Sequence, residues 1–148
     1  MLSICRSMFA VALAAITVAP AWGLEFRSVA GNAAVLYDAP SAKARKLYVV
    51  SQGYPVEVVV VVEGWVKVRD ASGDLTWVES KALSDKRTVM IKVPIAQIRQ
   101  SADDGAPVVF QAEQNVILEL EDVAGGWLRV KHRDGQAGFV KAGDVWGT

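Results

Sequence analysis

The chain has 148 residues, of which 52% are hydrophobic, and its 16 basic side chains are balanced by 16 acidic ones. Because there is no basic excess, the composition argues against nucleic-acid binding as the main role. The single cysteine, Cys5, excludes a disulfide framework within the chain and a sulfur-rich metal site.

The first 23 residues are predicted to be a signal peptide. Arg6 is the only charged residue of this segment, and an apolar stretch covers residues 8–21. That stretch is interrupted by Thr17 and Pro20 and falls short of the roughly 20 residues that span a bilayer. We therefore expect cleavage after Gly23, a periplasmic or secreted protein, and no membrane span after cleavage. An uncleaved anchor is the alternative.

Short strands are predicted after the signal peptide. Turn-forming residues recur roughly every eight to twelve positions, with no helical period, which indicates a small barrel or sandwich. The run Val56–Val62 is interrupted only by Glu57. So apolar a segment predicts a strand that is buried on both faces, with one side in the barrel and the other against the neighbouring repeat or a partner.

The next strand alternates strictly between apolar and polar side chains. This pattern places Val66 and Val68 in the core and Trp65 on the opposite face. Ser72-Gly73 then predicts a tight hairpin turn. In the strand after it either Trp77 or Val78 must face the core, and Trp77 is the prediction.

A single helical turn is predicted to close this unit at residues 79–83, with Leu83 plugging the end of the barrel. The segment Thr88–Val93 that follows is strand-like and contains neither glycine nor serine. It predicts a stiff linker that holds its two flanking units in a fixed orientation.

The second half of the chain repeats the first. Gly64-Trp65 returns as Gly126-Trp127, a spacing of 62 positions that holds without a gap from Ala34 to Leu83. A fixed internal period indicates repeated units. The sequence therefore predicts an all-β chain of two tandem domains, 24–87 and 88–148. Units of about 60 residues are near the lower limit for an independent core, so we expect the two to lean on each other.

The equivalent positions of the second copy carry the same predictions. Leu128 and Val130 are expected in the core, Asp134-Gly135 in the hairpin turn, Phe139 in the core position of Trp77, and Val145 at the end of the barrel.

The sequence resembles the bacterial SH3-like domains of secreted and cell-envelope proteins. The resemblance rests on the segments Gly53-Tyr54-Pro55-Val56-Glu57-Val58, Gly64-Trp65-Val66-Lys67-Val68-Arg69-Asp70, Gly73-Asp74-Leu75-Thr76-Trp77-Val78 and Leu83-Ser84-Asp85-Lys86-Arg87-Thr88. It implies two small SH3-like β-barrels, a binding role toward peptidoglycan or another envelope component, and no catalytic residues. Residues 35–40 and 97–102 depart from the family's usual Asn-Val-Arg-x-Gly-Pro opening, which alters a loop that often frames the ligand groove.

Aromatic side chains are the best candidates for ligand contact. Tyrosine and tryptophan bring a large rigid contact area with a polar tip, which favours them at binding surfaces. The predicted ligand-binding residues are Tyr37, Tyr54, Trp65 and Trp127.

A basic cluster in the second copy is a further candidate. It consists of Arg129, Lys131 and Arg133, with His132 between the last two. Such a cluster is either a solvated strand face or a surface for stem peptides and anionic envelope polymers.

Residues for catalysis are scarce. His132 is the only histidine, too few ligands for a zinc site, and is predicted to be a solvated turn residue. Asp103-Asp104 and Glu121-Asp122 could form the carboxylate pair of a glycosidase, but their predicted places in loops or at strand ends favour turn acids. No nucleophile elbow or phosphate-binding loop is present. We expect no enzyme activity, no cofactor and no metal.

The predicted function is that of a non-catalytic, exported binding module for peptidoglycan or another envelope component. One alternative is a protein-interaction or scaffolding role, in which the valine strand 56–62 pairs with another envelope protein. Another is an accessory role to a hydrolase encoded elsewhere. The oligomeric state stays open.

Overall fold

A computed structural model describes residues 23–148. Residues 1–22, nearly all of the predicted signal peptide, lie outside this range. Within it, the chain forms two antiparallel sheets and two single 3₁₀ turns. No helix in residues 23–148 is both long and apolar enough to cross a membrane.

Each sheet has seven strands that curl around a core of their own. The first sheet consists of β1 (Phe26–Val29), β2 (Ala33–Tyr37), β3 (Lys46–Ser51), β4 (Pro55–Val62), β5 (Trp65–Arg69), β6 (Leu75–Glu79) and β7 (Leu83–Ser84). The second consists of β8 (Thr88–Ile91), β9 (Ile95–Arg99), β10 (Val108–Glu113), β11 (Ile117–Ala124), β12 (Trp127–Lys131), β13 (Ala137–Lys141) and β14 (Val145–Trp146). Their spatial orders are equivalent, β3-β2-β6-β5-β4-β1-β7 and β10-β9-β13-β12-β11-β8-β14.

The internal repeat extends to every element of the two sheets. Each strand and 3₁₀ turn of the second sheet begins and ends 62 positions after its counterpart, as Phe26–Val29 and Thr88–Ile91 illustrate. The predicted all-β architecture of two tandem barrels is therefore confirmed. The linker interpretation of Thr88–Val93 is wrong in one respect, because Thr88–Ile91 is the first strand of the second sheet.

The alternating valines form the two cores as predicted. Val66 and Val68 are fully buried, and so are Leu128 and Val130. Because inward and outward side chains alternate along a strand, this alternation sets which face of each barrel meets solvent. The hairpin turns are also confirmed, with Gly73 and Gly135 at positive φ.

The predicted helical turns and apolar residues at the barrel ends are found in the structure as well. The 3₁₀ turns Ser80–Ala82 and Ala142–Asp144 occupy the predicted positions. Val145 is buried in the second core, and Leu83 packs against the first.

The prediction that Val56–Val62 is buried by the barrel and the neighbouring repeat is wrong for its second half. Val56 is fully buried, but Val59 to Val62 are 39 to 58% exposed. The cause is the length of β1, which pairs with β4 only at residues 55–57. Beyond that point β4 continues beside β5 alone, as a hairpin that projects past the core.

The assignment of Trp77 and Phe139 to the core is also wrong. Val78 and Val140 are fully buried, whereas the two aromatic rings are half-buried on the outer face. Cross-strand register decides this, because directly paired residues share a face of the sheet. Val78 pairs with the buried Val66, and the second sheet repeats the arrangement.

The two barrels contact each other through a hydrogen bond and an aromatic pair. The Thr88 hydroxyl donates a hydrogen bond to the Gly53 carbonyl oxygen at 2.6 Å. Phe26 and Trp146 form an edge-to-face pair with ring centroids 5.3 Å apart. The Arg87 guanidinium lies 5.5 Å from the centre of the Phe26 ring. The Thr88–Gly53 hydrogen bond and the Phe26–Trp146 pair link the two barrels directly.

Candidate functional site

The outer face of β5 and β6 carries a cluster of aromatic side chains, here called the first aromatic face: Tyr37, Trp65, Lys67 and Trp77. Tyr37 and Trp65 meet edge to face, with centroids 5.3 Å apart and ring planes at 86°. Lys67 pairs across the strands with Trp77, and its ammonium nitrogen lies 5.9 Å from that ring. The alternation along β5 that buries Val66 turns Trp65 and Lys67 outward, and Trp77 shares this face as the cross-strand partner of Lys67.

Tyr37 reaches this face by the ordinary alternation of β2. Leu36 is buried in the core, so the adjacent Tyr37 points to the outer side, where it pairs across the strands with Trp77. There it packs under Trp65. With only 8% of its surface exposed, Tyr37 supports the indole ring and leaves Trp65 as the accessible partner.

The equivalent face of the second barrel is more basic. Trp127 and Phe139 remain, but Arg99 replaces Tyr37. Lys141 lies 5.9 Å from the centre of the Trp127 ring, and Arg129 lies 5.7 Å from the centre of the Phe139 ring. The two faces share a scaffold and differ in charge, so they suit different ligands.

Tyr54 belongs to a separate site. It lines a depression of about 270 Å³ beside the β5–β6 turn. Burial raises the pKa of its phenol, and the negative charges of Asp70 and Asp74 raise it further. Of the four predicted ligand-binding residues, the structure thus brings only Tyr37 and Trp65 together.

The predicted basic cluster is divided between two surfaces. Arg129 lies on the outer face, where its Nε is 2.9 Å from a carboxylate oxygen of Glu121. Lys131 and Arg133 instead line a cleft of about 590 Å³ between the two barrels, together with His132.

Residues from both barrels line this cleft, here called the inter-barrel cleft. They include Lys86, Asn32, Gln52 and Asn115. None of these residues was identified from the sequence. No local pattern marks them, because they are distant in the chain and meet only when the barrels pack together.

The only histidine of the sequence, His132, makes contacts within the β12–β13 turn. The backbone N–H of Asp134 lies 3.3 Å from Nδ1 of His132, and a carboxylate oxygen of Asp134 lies 3.0 Å from it. The backbone N–H of Gln136, and then His132, lower the pKa of Asp134. The ring of His132 rests against Phe110, with centroids 6.2 Å apart.

The acidic residues are engaged in turns and ion pairs. Asp103 accepts a hydrogen bond from the N–H of Gly105, and Asp104 lies 2.6 Å from the Lys141 ammonium. That bond with Lys141 lowers the pKa of Asp104. Within residues 23–148 no three His, Cys, Asp or Glu side chains are placed to hold a metal ion together.

Fold and surfaces together define a class of protein: two small antiparallel barrels in tandem, each presenting an aromatic outer face. A family model described as "Bacterial SH3 domain" matches residues 30–85 and again 92–147. Because the two matches cover well over half of the chain, the protein belongs to this family. The resemblance inferred from the sequence is thereby confirmed.

Several solved structures are similar to the chain. NlpC2 from Trichomonas vaginalis is 16% identical, with a TM-score of 0.39, and the match covers 85% of this chain and 49% of that chain. NlpC1 from the same organism is 17% identical, with a TM-score of 0.39, and the match covers 88% of this chain and 48% of that chain. An NlpC/P60 family protein from Bacillus cereus is 17% identical, with a TM-score of 0.37, and the match covers 82% of this chain and 55% of that chain. The chain spans about half the length of these proteins. No curated protein sequence matches it.

Proposed function

We propose that this protein is an exported, non-catalytic module that binds the cell wall, with Trp65 of the first aromatic face as its principal ligand contact. The observation that carries the proposal is the Tyr37–Trp65 pair. A tryptophan held edge to face by a buried tyrosine is a rigid apolar platform, and binding to such a platform costs little side-chain entropy.

The surroundings of Trp65 suit a ligand of mixed polarity. Val62 is its cross-strand partner, and Val60 is the partner of Lys67. Both valines are more than 40% exposed, so they extend the apolar surface. Lys67 has no ion pair with any residue in the range 23–148 and adds a positive charge. A peptide or glycan of the cell wall combines apolar faces with carboxyl and hydroxyl groups, which matches this surface.

Three features support the non-catalytic and exported parts of the proposal. The chain belongs to a family of bacterial SH3 domains. After residue 23 the sequence contains no cysteine and one histidine. That histidine stabilises a turn. Residues 1–23 carry the sequence features of a signal peptide. We propose 24–87 and 88–148 as the limits of the two domains.

Co-sedimentation with purified, insoluble peptidoglycan tests the proposal. Replacing a central interface tryptophan commonly costs about 2 kcal/mol or more, so Trp65→Ala should weaken retention by at least about ten-fold. Trp127→Ala is the matched control at the equivalent position, and we expect it to bind like the parent protein. Trp65→Phe retains an aromatic ring against Tyr37 and should restore part of the binding.

Two results would contradict the wall-binding proposal. One is the absence of retention by the parent protein. The other is equal retention of the parent and of a Trp65→Ala variant whose circular dichroism spectrum shows it to be folded.

A second candidate function is interaction with an envelope protein through Val59–Val62. This part of β4 pairs only with β5, which leaves its other edge open for a strand of a partner. The second barrel carries Glu121 and Asp122 at the corresponding start of its projection. Charges of this kind protect a strand edge, and the first barrel lacks them.

Affinity purification from an envelope extract distinguishes this role from wall binding. A specific partner should be recovered with the parent protein and lost with the double variant Val60→Lys, Val62→Lys. Val123→Lys adds a lysine to the equivalent hairpin of the second barrel and should retain the partner. Equal recovery with all three proteins would exclude the edge of β4 as the interface.

A further inference from the structure

The inter-barrel cleft has the dimensions of a ligand site. Its volume of about 590 Å³ lies within the range of roughly 300 to 1,000 Å³ that small-ligand pockets occupy. It is lined by both barrels, so neither barrel alone forms it. It is distinct from the first aromatic face, since neither Trp65 nor Tyr37 lines it.

The charged side chains of the cleft are mostly basic. Lys131 and Arg133 line it, and within residues 23–148 neither forms an ion pair. Lys86 is paired with Glu119, whose carboxylate oxygen is 3.1 Å from the ammonium nitrogen. In a chain without net charge, two free cations in one concave surface create a local positive potential that attracts anions.

Asn115 adds an amide to the cleft from an unusual backbone conformation. Its φ of 71° makes it the only residue other than glycine at positive φ in the described part of the chain. The equivalent position of the first barrel is Gly53, with φ of 80°. Glycine adopts this conformation freely, and asparagine does so at a modest cost. The substitution therefore places a donor and an acceptor in the cleft that glycine cannot provide.

Two further primary amides and three apolar residues complete the lining. Asn32 and Gln52 are the amides, from the first barrel, and Val29, Val116 and Ile117 are the apolar residues. A primary amide both donates and accepts hydrogen bonds, which matches the N–H and C=O groups of a peptide. The combination of free cations, amides and apolar surface is that of a site for a short, carboxylate-bearing peptide.

We propose that the inter-barrel cleft binds a short acidic peptide. Lys131 and Arg133 receive its carboxylates, and the amide of Asn115 pairs with its backbone. This inference goes beyond the proposed wall binding and does not depend on it, because the two sites share no residue.

Titration of the protein with a blocked tetrapeptide that contains two glutamates tests this inference, with NMR chemical shifts as the readout. Shifts should concentrate at Lys131, Arg133 and Asn115, and the affinity should fall as salt is raised. The same peptide with glutamines in place of the glutamates should bind about ten-fold more weakly, because charge-assisted hydrogen bonds are lost.

Variants separate the cleft from general charge effects. The double variant Lys131→Gln, Arg133→Gln should weaken binding of the acidic peptide by about ten-fold or more. The double variant Lys43→Gln, Lys46→Gln removes the same charge from exposed lysines of the first barrel and should leave the affinity unchanged. Asn115→Gly preserves the left-handed backbone and removes only the amide, and we expect a loss of about five-fold.

Four results would overturn the inference. They are no binding of the acidic peptide to the parent protein, equal weakening by the two double variants, shifts that map to another surface, and equal affinity for the acidic peptide and for inorganic phosphate. The last would show that the cleft recognises charge alone. Trp65→Ala should bind the acidic peptide like the parent, so failure of the wall-binding proposal would be seen separately.

Discussion

Thr76 and Gly138 occupy equivalent positions in the two barrels but differ in the space available for a side chain. Thr76 is buried, and its hydroxyl has no hydrogen-bond partner within residues 23–148. At Gly138 a Cβ would lie 2.6 Å from the carbonyl oxygen of Arg99 and from a methyl carbon of Ile98. The second barrel therefore has no room for a side chain at a position where the first barrel holds a threonine.

We expect Thr76→Val to stabilise the protein by about 1 kcal/mol, because it removes an unsatisfied buried hydroxyl and keeps the shape of the side chain. Gly138→Ala should destabilise it by about 1 to 3 kcal/mol through crowding. The midpoints of urea unfolding measure both changes. Destabilisation by Thr76→Val would show that the hydroxyl finds a partner in solution.

The raised pKa of Tyr54 predicts that the protein loses part of its stability at alkaline pH. Burial, followed by the charges of Asp70 and Asp74, raises its pKa in the folded state. The folded protein thus retains the phenolic proton more strongly than the unfolded chain, whose tyrosines titrate near a pH of about 10. The stabilising contribution is complete below that value and is lost as the pH rises through the raised pKa of Tyr54.

Urea unfolding at a pH of about 8 and again at about 11 measures this loss. The parent protein should lose more stability between the two than Tyr54→Phe does, because phenylalanine has no proton to release. Tyr48→Phe changes an exposed tyrosine of the same depression and should behave like the parent. Identical pH profiles for the parent and for Tyr54→Phe would contradict the expectation.

At the scale of elements, the β5–β6 turn is held by one buried carboxylate. Asp70 Oδ1 accepts hydrogen bonds from the backbone N–H groups of Ser72 and Asp74, at 2.9 and 3.0 Å, and from the Ser72 hydroxyl at 2.6 Å. The equivalent residue of the second barrel is His132, whose Nδ1 lies 3.3 Å from the N–H of Asp134 and 3.0 Å from its carboxylate oxygen and can hydrogen-bond to only one of them at a time. The two turns share a backbone path but differ in the strength of their support.

Asp70→Ala should therefore destabilise the protein by about 2 to 3 kcal/mol, since several hydrogen bonds to a charged group are lost together. His132→Ala, the matched substitution, should cost less than about 1 kcal/mol, the value of a single ordinary hydrogen bond. Equilibrium unfolding in urea compares the two. A larger effect at His132 would reverse the ranking and contradict the account of the turns.

At the scale of the whole molecule, the two barrels share a small aromatic interface. Phe26 of β1 is 6% exposed because Trp146 and Arg87 cover it. Removing a buried phenylalanine side chain commonly costs about 3 to 5 kcal/mol. When neighbouring repeats stabilise each other through such an interface, weakening it lowers the cooperativity of unfolding.

We expect Phe26→Ala to lower the melting temperature and to resolve two transitions in scanning calorimetry. Phe110→Ala removes an aromatic ring that packs against the second core and His132. As the control, Phe110→Ala should destabilise the second barrel while leaving the Phe26–Trp146 contact between the barrels intact. A single transition of undiminished sharpness in Phe26→Ala would show that the contact does not couple them.

The sequence predicted much of the fold for a physical reason that is visible at particular residues. The alternation of Val66 and Val68 with polar neighbours is a local property of one strand, and the repeat supplied a second instance at Leu128 and Val130. Trp77 was misassigned because its orientation depends on the register of β6 against β5, which no single strand reveals. Val59–Val62 was misassigned because burial there depends on where β1 ends.

The candidate sites divide in the same way. The sequence alone determined that the two copies share one scaffold, because a constant spacing preserves every turn and strand. The tertiary structure alone decided that Tyr37 supports Trp65, that Tyr54 lies elsewhere, and that Lys131 and Arg133 line a cleft with Asn115. Such proximity arises from cross-strand register and from the packing of one barrel against the other, which bring together residues that are far apart in the chain.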